Sequence, residues 1–231
     1  AYCMDARPRL ENKLLFFSIL YFFVVIFPYV VFGFWASVGW VSIPDIIDIV
    51  VYPVVIGVVL YDLQKACNVG GHSRVLELLV YLSIVLHFEG HGLHWAANAL
   101  DVLIMREGIH GNVSDVAYFL DEILGHLIMF SGMISFFLVL AYTDYRYGDY
   151  MVRERTKIVF GGVLFAFCFT LATIEGQYIT YNLILSALFL CSVLIGIVQA
   201  RKIDRFQRPV LLFWIITTAS TFVWAGLYYV I

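Results

Sequence analysis

The chain has 231 residues, of which 62% are hydrophobic, 17% aromatic and only 13% charged. A water-soluble domain carries about 25% charged residues, so a soluble globule is excluded: too few polar groups remain to cover its surface. The net charge of −3 comes with no basic groove interleaved with aromatics, which gives no support to nucleic acid as a partner.

In chain order, seven apolar runs meet the roughly 20 residues that a helix needs to cross a bilayer core. They are expected over Leu14–Trp35, Pro44–Asp62, Val75–Leu100, Ser114–Tyr142, Lys157–Tyr178, Tyr181–Ala200 and Val210–Ile231. Ala1 points to a processed or trimmed amino terminus, and the first run, which lacks an A-x-A-like site, reads as a retained helix. Asp45 and Asp48 open the second run and read as interfacial capping residues. Trp35, Trp40 and Trp95 suit an outer aromatic belt. Cys3, Cys67, Cys168 and Cys191 form no CxxC pair, so neither a disulfide framework nor a thiolate metal site is expected.

Loop charges set the expected orientation. Arg7, Arg9, Lys13, Lys65, Arg74, Arg146, Arg153, Arg155, Lys157, Arg201, Lys202, Arg205 and Arg208 fall on the amino-terminal side, and only Arg106 on the other. Under the positive-inside rule the amino terminus is cytoplasmic and the carboxyl terminus outside. The expected fold is therefore an all-α polytopic integral membrane protein with seven transmembrane helices in a single domain, residues 1–231, set in the plasma (inner) membrane. Acidic residues and histidines gather on the outer side.

That gathering is densest from His87 to His126, which reads HFEGHGLHWAANAL, a short loop, then SDVAYFLDEILGHL. At 100° per residue His87, His91 and His94 share about a third of the third helix's circumference, with Asn98 next on the stripe and Glu89 pointing away. On the fourth helix Asp115, Glu122 and His126 share a face and Asp121 lies to one side. A short loop makes the two helices antiparallel neighbours, which places His87 level with His126 and His91 level with Glu122. The fifth helix ends in IEGQY, bringing Glu175 to the same outer level.

Imidazoles at these spacings opposite a Glu-x-x-x-His pair supply the neutral nitrogen and anionic oxygen donors preferred by zinc, iron or copper. The expected ligands of one or two transition-metal ions are His87, His91, His94, Glu122 and His126. Asp121, Glu175 and Asp101 are expected to orient histidines or act as general base. A substrate reaching a site below the interface would be apolar or a lipid, and hydrolytic and oxidative chemistry both remain open. The alternatives are a proton or ion path, a subunit of a larger membrane complex, or a haem site with His87 and His126 as axial pair. His72 and His110 read as loop residues.

No Gly-rich phosphate loop, G-x-S-x-G elbow or CxxCH attachment is present, and the last helix has no lysine for a retinal Schiff base. The pattern departs from the alkaline ceramidase and adiponectin-receptor superfamily, whose last helix carries a His pair. It also departs from membrane desaturases and hydroxylases: His87 and His91 match an HxxxH box, but the HxxHH box is missing.

Overall fold

A computed structural model describes residues 10–33, 37–38, 41–108, 111–148, 151–200 and 206–230. Among them, seven helices are long and apolar enough to cross a membrane. The residues Cys3, Trp35, Trp40, His110, Arg7, Arg9, Arg201, Lys202 and Arg205, which entered the sequence reading, lie outside the described set.

The first span comprises α1 (Leu10–Val25) and α2 (Phe27–Phe32), separated where Pro28 near the start of α2 removes a backbone donor. A minimal antiparallel ladder, Ser37–Val38 with Val41–Ser42, is the one addition to an otherwise helical fold among the described residues. The second span is α3 (Ile43–Ala66) with the short α4 (Val69–His72). Ser42 and Asp45 cap α3 reciprocally: the Ser42 hydroxyl accepts from the Asp45 backbone N–H at 3.1 Å, and the Asp45 carboxylate accepts from the Ser42 N–H at 3.3 Å.

The third span, α5 (Arg74–Arg106), starts on the Ser73 cap. It ends in a turn where Gly108 (φ 65°) and Gly111 (φ 100°) take conformations that cost other residues more. The fourth span joins α6 (Asn112–Tyr118), a π-helical segment Phe119–Gly125 and α7 (His126–Tyr147). Then follow α8 (Arg155–Glu175), α9 (Ile179–Ala200) and α10 (Pro209–Val230).

The tightest pairing is α5 against α7, and glycines make it. A Cβ added at Gly90 would stand 2.2 Å from the Met129 backbone nitrogen, one at Gly132 2.4 Å from the His87 nitrogen, and one at Gly125 2.8 Å from the His94 nitrogen. Backbone meets backbone here, which only small residues allow. The contacts also fix the register: Gly125 lies against His94 and Gly132 against His87.

The expected pairing of His87 with His126 is therefore displaced by nearly two turns: Gly132 stands opposite His87, and His126 lies beside His94. The cause is the hairpin's centre. Helix α5 continues beyond the apolar run to Arg106 and stops only at the glycine turn, so the pivot lies further along the chain.

Below the middle of the bundle a cluster of rings fills the space between α1, α7, α8 and α10. Phe17 and Phe165 have centroids 4.9 Å apart, Phe17 and Phe137 5.3 Å, and Phe137 stacks on Trp214 at 5.0 Å. Phe17, Phe137, Phe165 and Phe213 are fully buried. At the end remote from the α5–α6 turn, polar contacts tie the helices together. Lys13 pairs with Asp62, the Glu11 carboxylate accepts from the Arg153 N–H at 2.9 Å, and Asp144 accepts from the first N–H groups of α10, Val210 at 2.9 Å and Leu211 at 3.3 Å.

Adding one methyl at Gly90 should cost about 1–3 kcal/mol of stability by overpacking, whereas Gly92, which has open space in front of its Cβ position, should accept Ala without loss. Thermal unfolding of Gly90→Ala and Gly92→Ala in detergent measures the contrast.

Candidate functional site

The histidine stripe of α5 meets the first span, α3, α7 and the end of α8 around a cavity of about 310 Å³, with the π-helical segment packed behind His94 and His126. Its polar wall is Asp48 and Tyr52 from α3, His91 and His94 from α5, His126 from α7 and Glu175 from α8. Tyr21, Tyr29, Met129 and Phe130 complete much of the rest. Tyr21 rests edge-on against Phe165 at 5.0 Å, so the floor of the cavity is the top of the aromatic cluster.

Each histidine has a defined polar partner. His87 is fully enclosed by two: its Nδ1 lies 2.9 Å from the Met129 carbonyl and its Nε2 2.6 Å from the Tyr52 hydroxyl. A carbonyl can only accept, so Nδ1–H donates to it, and in the neutral ring Nε2 accepts from Tyr52. His87 thus has both nitrogens engaged and does not line the cavity; it fixes Tyr52, whose ring stacks on His91 at 4.6 Å.

His91 directs Nε2 at the Asp48 carboxylate, 2.9 Å away, leaving Nδ1 without a hydrogen-bond partner among the described residues. His94 Nδ1 stands 2.5 Å from an Asp121 oxygen. The His126 ring lies 4.2 Å from that of His94, centroid to centroid, with its Nδ1 3.3 Å from the Glu122 carbonyl and 3.8 Å from the Glu122 carboxylate.

The π-helical turn accounts for the acidic side of this arrangement. In an α-helix Asp121 would be turned away from the Glu122–His126 face. The wider i→i+5 turn over Phe119–Gly125 leaves Asp121 buried against His94 and Glu122 half-buried behind His126. Gly176 completes the site from α8: a Cβ there would stand 2.6 Å from the His126 ring, so a glycine lets the end of α8 close on His126 and set Glu175, which remains exposed, at the mouth of the cavity.

Of the residues singled out in sequence, His91, His94, His126 and Glu175 line the cavity, with Asp121 and Glu122 directly behind. His87 lies one layer deeper. Asp101 does not line the cavity, being two turns beyond His94 toward the α5–α6 turn, and Asp115 is exposed on α6. His72 stacks on Tyr147 at 4.7 Å, at the end remote from the site.

The expectation that both Asp45 and Asp48 are capping residues holds for Asp45 only: Asp45 caps α3, and Asp48 pairs with His91. The usable signal was the i, i+4 pair Asp48 and Tyr52, which puts a carboxylate and a phenol on one face of a span that already had its cap. Taken singly, Tyr21, Tyr29 and Tyr52 carry no sequence signal that sets them apart from the many other aromatic residues.

Among the described residues no three His, Cys, Asp or Glu side chains are gathered closely enough to hold a metal ion as they stand. What the cavity presents instead is imidazoles paired with carboxylates, a set competent for proton transfer. The chain matches no protein-family model, no curated protein and no solved structure.

Replacing Tyr52 by Phe would leave His87 Nε2 buried without its donor. The folded state is expected to lose about 1–3 kcal/mol, seen as a lower unfolding midpoint in detergent; an unchanged midpoint would show that the bond contributes nothing.

Proposed function

We propose that the chain is a metal-dependent membrane enzyme that binds one transition-metal ion in this cavity and acts on a lipid or other apolar substrate. The observation that carries the reading is that His91, His94 and His126 each set one ring nitrogen beside a carboxylate, of Asp48, Asp121 and Glu122 respectively, around a single cavity. Histidines that ligate metals are characteristically held in this way through their other nitrogen.

His94 and His126 are the proposed ligands, since their rings adjoin, and Glu175 at the mouth is the carboxylate nearest in kind to complete the set. His87 is assigned a supporting role, because both of its nitrogens are taken. Zinc, iron and copper all suit two imidazoles and an oxygen.

Hydrolysis is the favoured chemistry, because Asp48 lines the cavity outside the proposed ligand set and is available as a base. A bound divalent ion supplies Lewis acidity toward a carbonyl or a water. His94, His126 and Glu175 would hold such an ion, and the Asp48 carboxylate, paired with His91, is the proposed general base, with His91 as the group that would carry its proton. The cavity volume of about 310 Å³ is at the lower end of small-molecule pockets, which fits the reacting end of an apolar substrate whose tail stays in the bilayer. The aromatic cluster beneath the floor favours such a dead-ended pocket over a proton path across the chain.

The distribution of basic residues, with 13 of 14 on one side, supports placing this cavity toward the outside and the amino terminus in the cytoplasm.

Purified protein should contain about one equivalent of zinc, iron or copper by elemental analysis. His94→Ala and His126→Ala should each abolish most of it, while His87→Gln should retain it. Well-folded protein that neither contains nor takes up metal would refute the reading.

A further inference from the structure

We propose that the face of α5 turned away from the bundle docks a transmembrane helix of another protein that carries a basic residue at mid-span. The face is marked by Glu89. This carboxylate is exposed, on the opposite side of α5 from the His87 and His91 positions, and it lies near the middle of the Arg74–Arg106 span. Its depth has an independent reference: the adjacent Gly90 abuts Met129, itself near the middle of the Asn112–Tyr147 span.

The surroundings of Glu89 are otherwise apolar. Leu82, Val85 and Leu86 precede it on the exposed surface and Leu100 follows, all large hydrophobic side chains suited to hydrocarbon. Among the described residues no hydrogen bond, ion pair or other electrostatic contact satisfies Glu89. An ionisable side chain facing lipid at this depth is costly, so such groups ordinarily face protein or water.

Immediately beyond it the surface is shaped for protein. Gly92 and Ala96, at i and i+4, are both exposed, and the Cβ position of Gly92 has nothing within 4 Å. Small residues at this spacing let a second helix approach until backbones touch, which would bring that helix's side chains within reach of the Glu89 carboxylate one turn away.

Charge decides the occupant. By sequence position none of the 14 basic residues falls near the middle of a span, and His87, His91, His94 and His126 are turned into the bundle. A second copy in the same orientation would therefore set Glu89 against Glu89 and offer no cation at that depth. A different helix with Lys or Arg at its centre would neutralise the carboxylate and keep both groups out of lipid. The inference does not depend on the cavity or its proposed metal, since the two lie on opposite sides of α5.

The test uses the full chain, donor-labelled and reconstituted in phosphatidylcholine vesicles, with acceptor-labelled Leu-rich single-span peptides bearing either Lys or Leu at the centre. Energy transfer should report association on the order of tenfold stronger for the Lys peptide. The preference should vanish in Glu89→Gln and in Gly92→Leu, both of which face lipid and should keep the wild-type unfolding midpoint. Equal association of the two peptides would overturn the proposal. So would a Lys preference that survives Glu89→Gln, or self-association of the chain without peptide that depends on Glu89, which would assign the face to a second copy.

Discussion

The backbone contact between α5 and α7 governs everything else in this molecule. Gly90, Gly125 and Gly132 bring the two helices so close that sliding either by a turn would drive a side chain into a main chain. That single register selects which histidines meet. It places His94 beside His126 and leaves His87 facing the Met129 carbonyl. A looser interface with larger residues would tolerate several registers, and the polar groups would then have no unique partners. In a bilayer, where apolar burial contributes little between helices, close packing of this kind is what holds the polar groups in one arrangement.

The second organising constraint is the cost of polar groups in an apolar bundle. The histidines of the site are met by Asp48, Asp121, Glu122, Tyr52 or the Met129 carbonyl, and the partners come from three different segments. The π-helical turn and Gly176 are local departures that serve this matching, one turning Asp121 inward and the other admitting α8. Below them, the cluster of Phe17, Phe137, Phe165 and Trp214 closes the bundle. The polar contacts at the far end belong to helix caps and interhelical ties. The result is a cavity with a polar wall, set over an apolar ring cluster.

Much of this was legible in the sequence, for definite reasons. Seven spans follow from run length, since hydrocarbon thickness leaves little freedom. The His87, His91 and His94 stripe follows from helical periodicity, as does the outward direction of Glu89. Register did not follow. It depends on where α5 stops, and polar residues such as Asp101 and Arg106 conceal a helix that continues past the apolar run to the turn at Gly108. The role of Asp121 was hidden because a π-helical turn leaves no clear signature and rotates residues away from their α-helical positions. Asp48 was hidden because a carboxylate early in a helix is usually a cap, and Asp45 shows that one of the two is.

The proposed metal site requires His94 and His126 to present imidazole nitrogens to one shared ion in the cavity. X-ray absorption at the metal edge, on reconstituted protein loaded with one equivalent of zinc, reads that directly. Two imidazole nitrogens at about 2.0–2.1 Å, completed by oxygen, are the predicted first coordination sphere. Zinc coordinated by oxygen alone, or no specifically bound zinc at all, would contradict it.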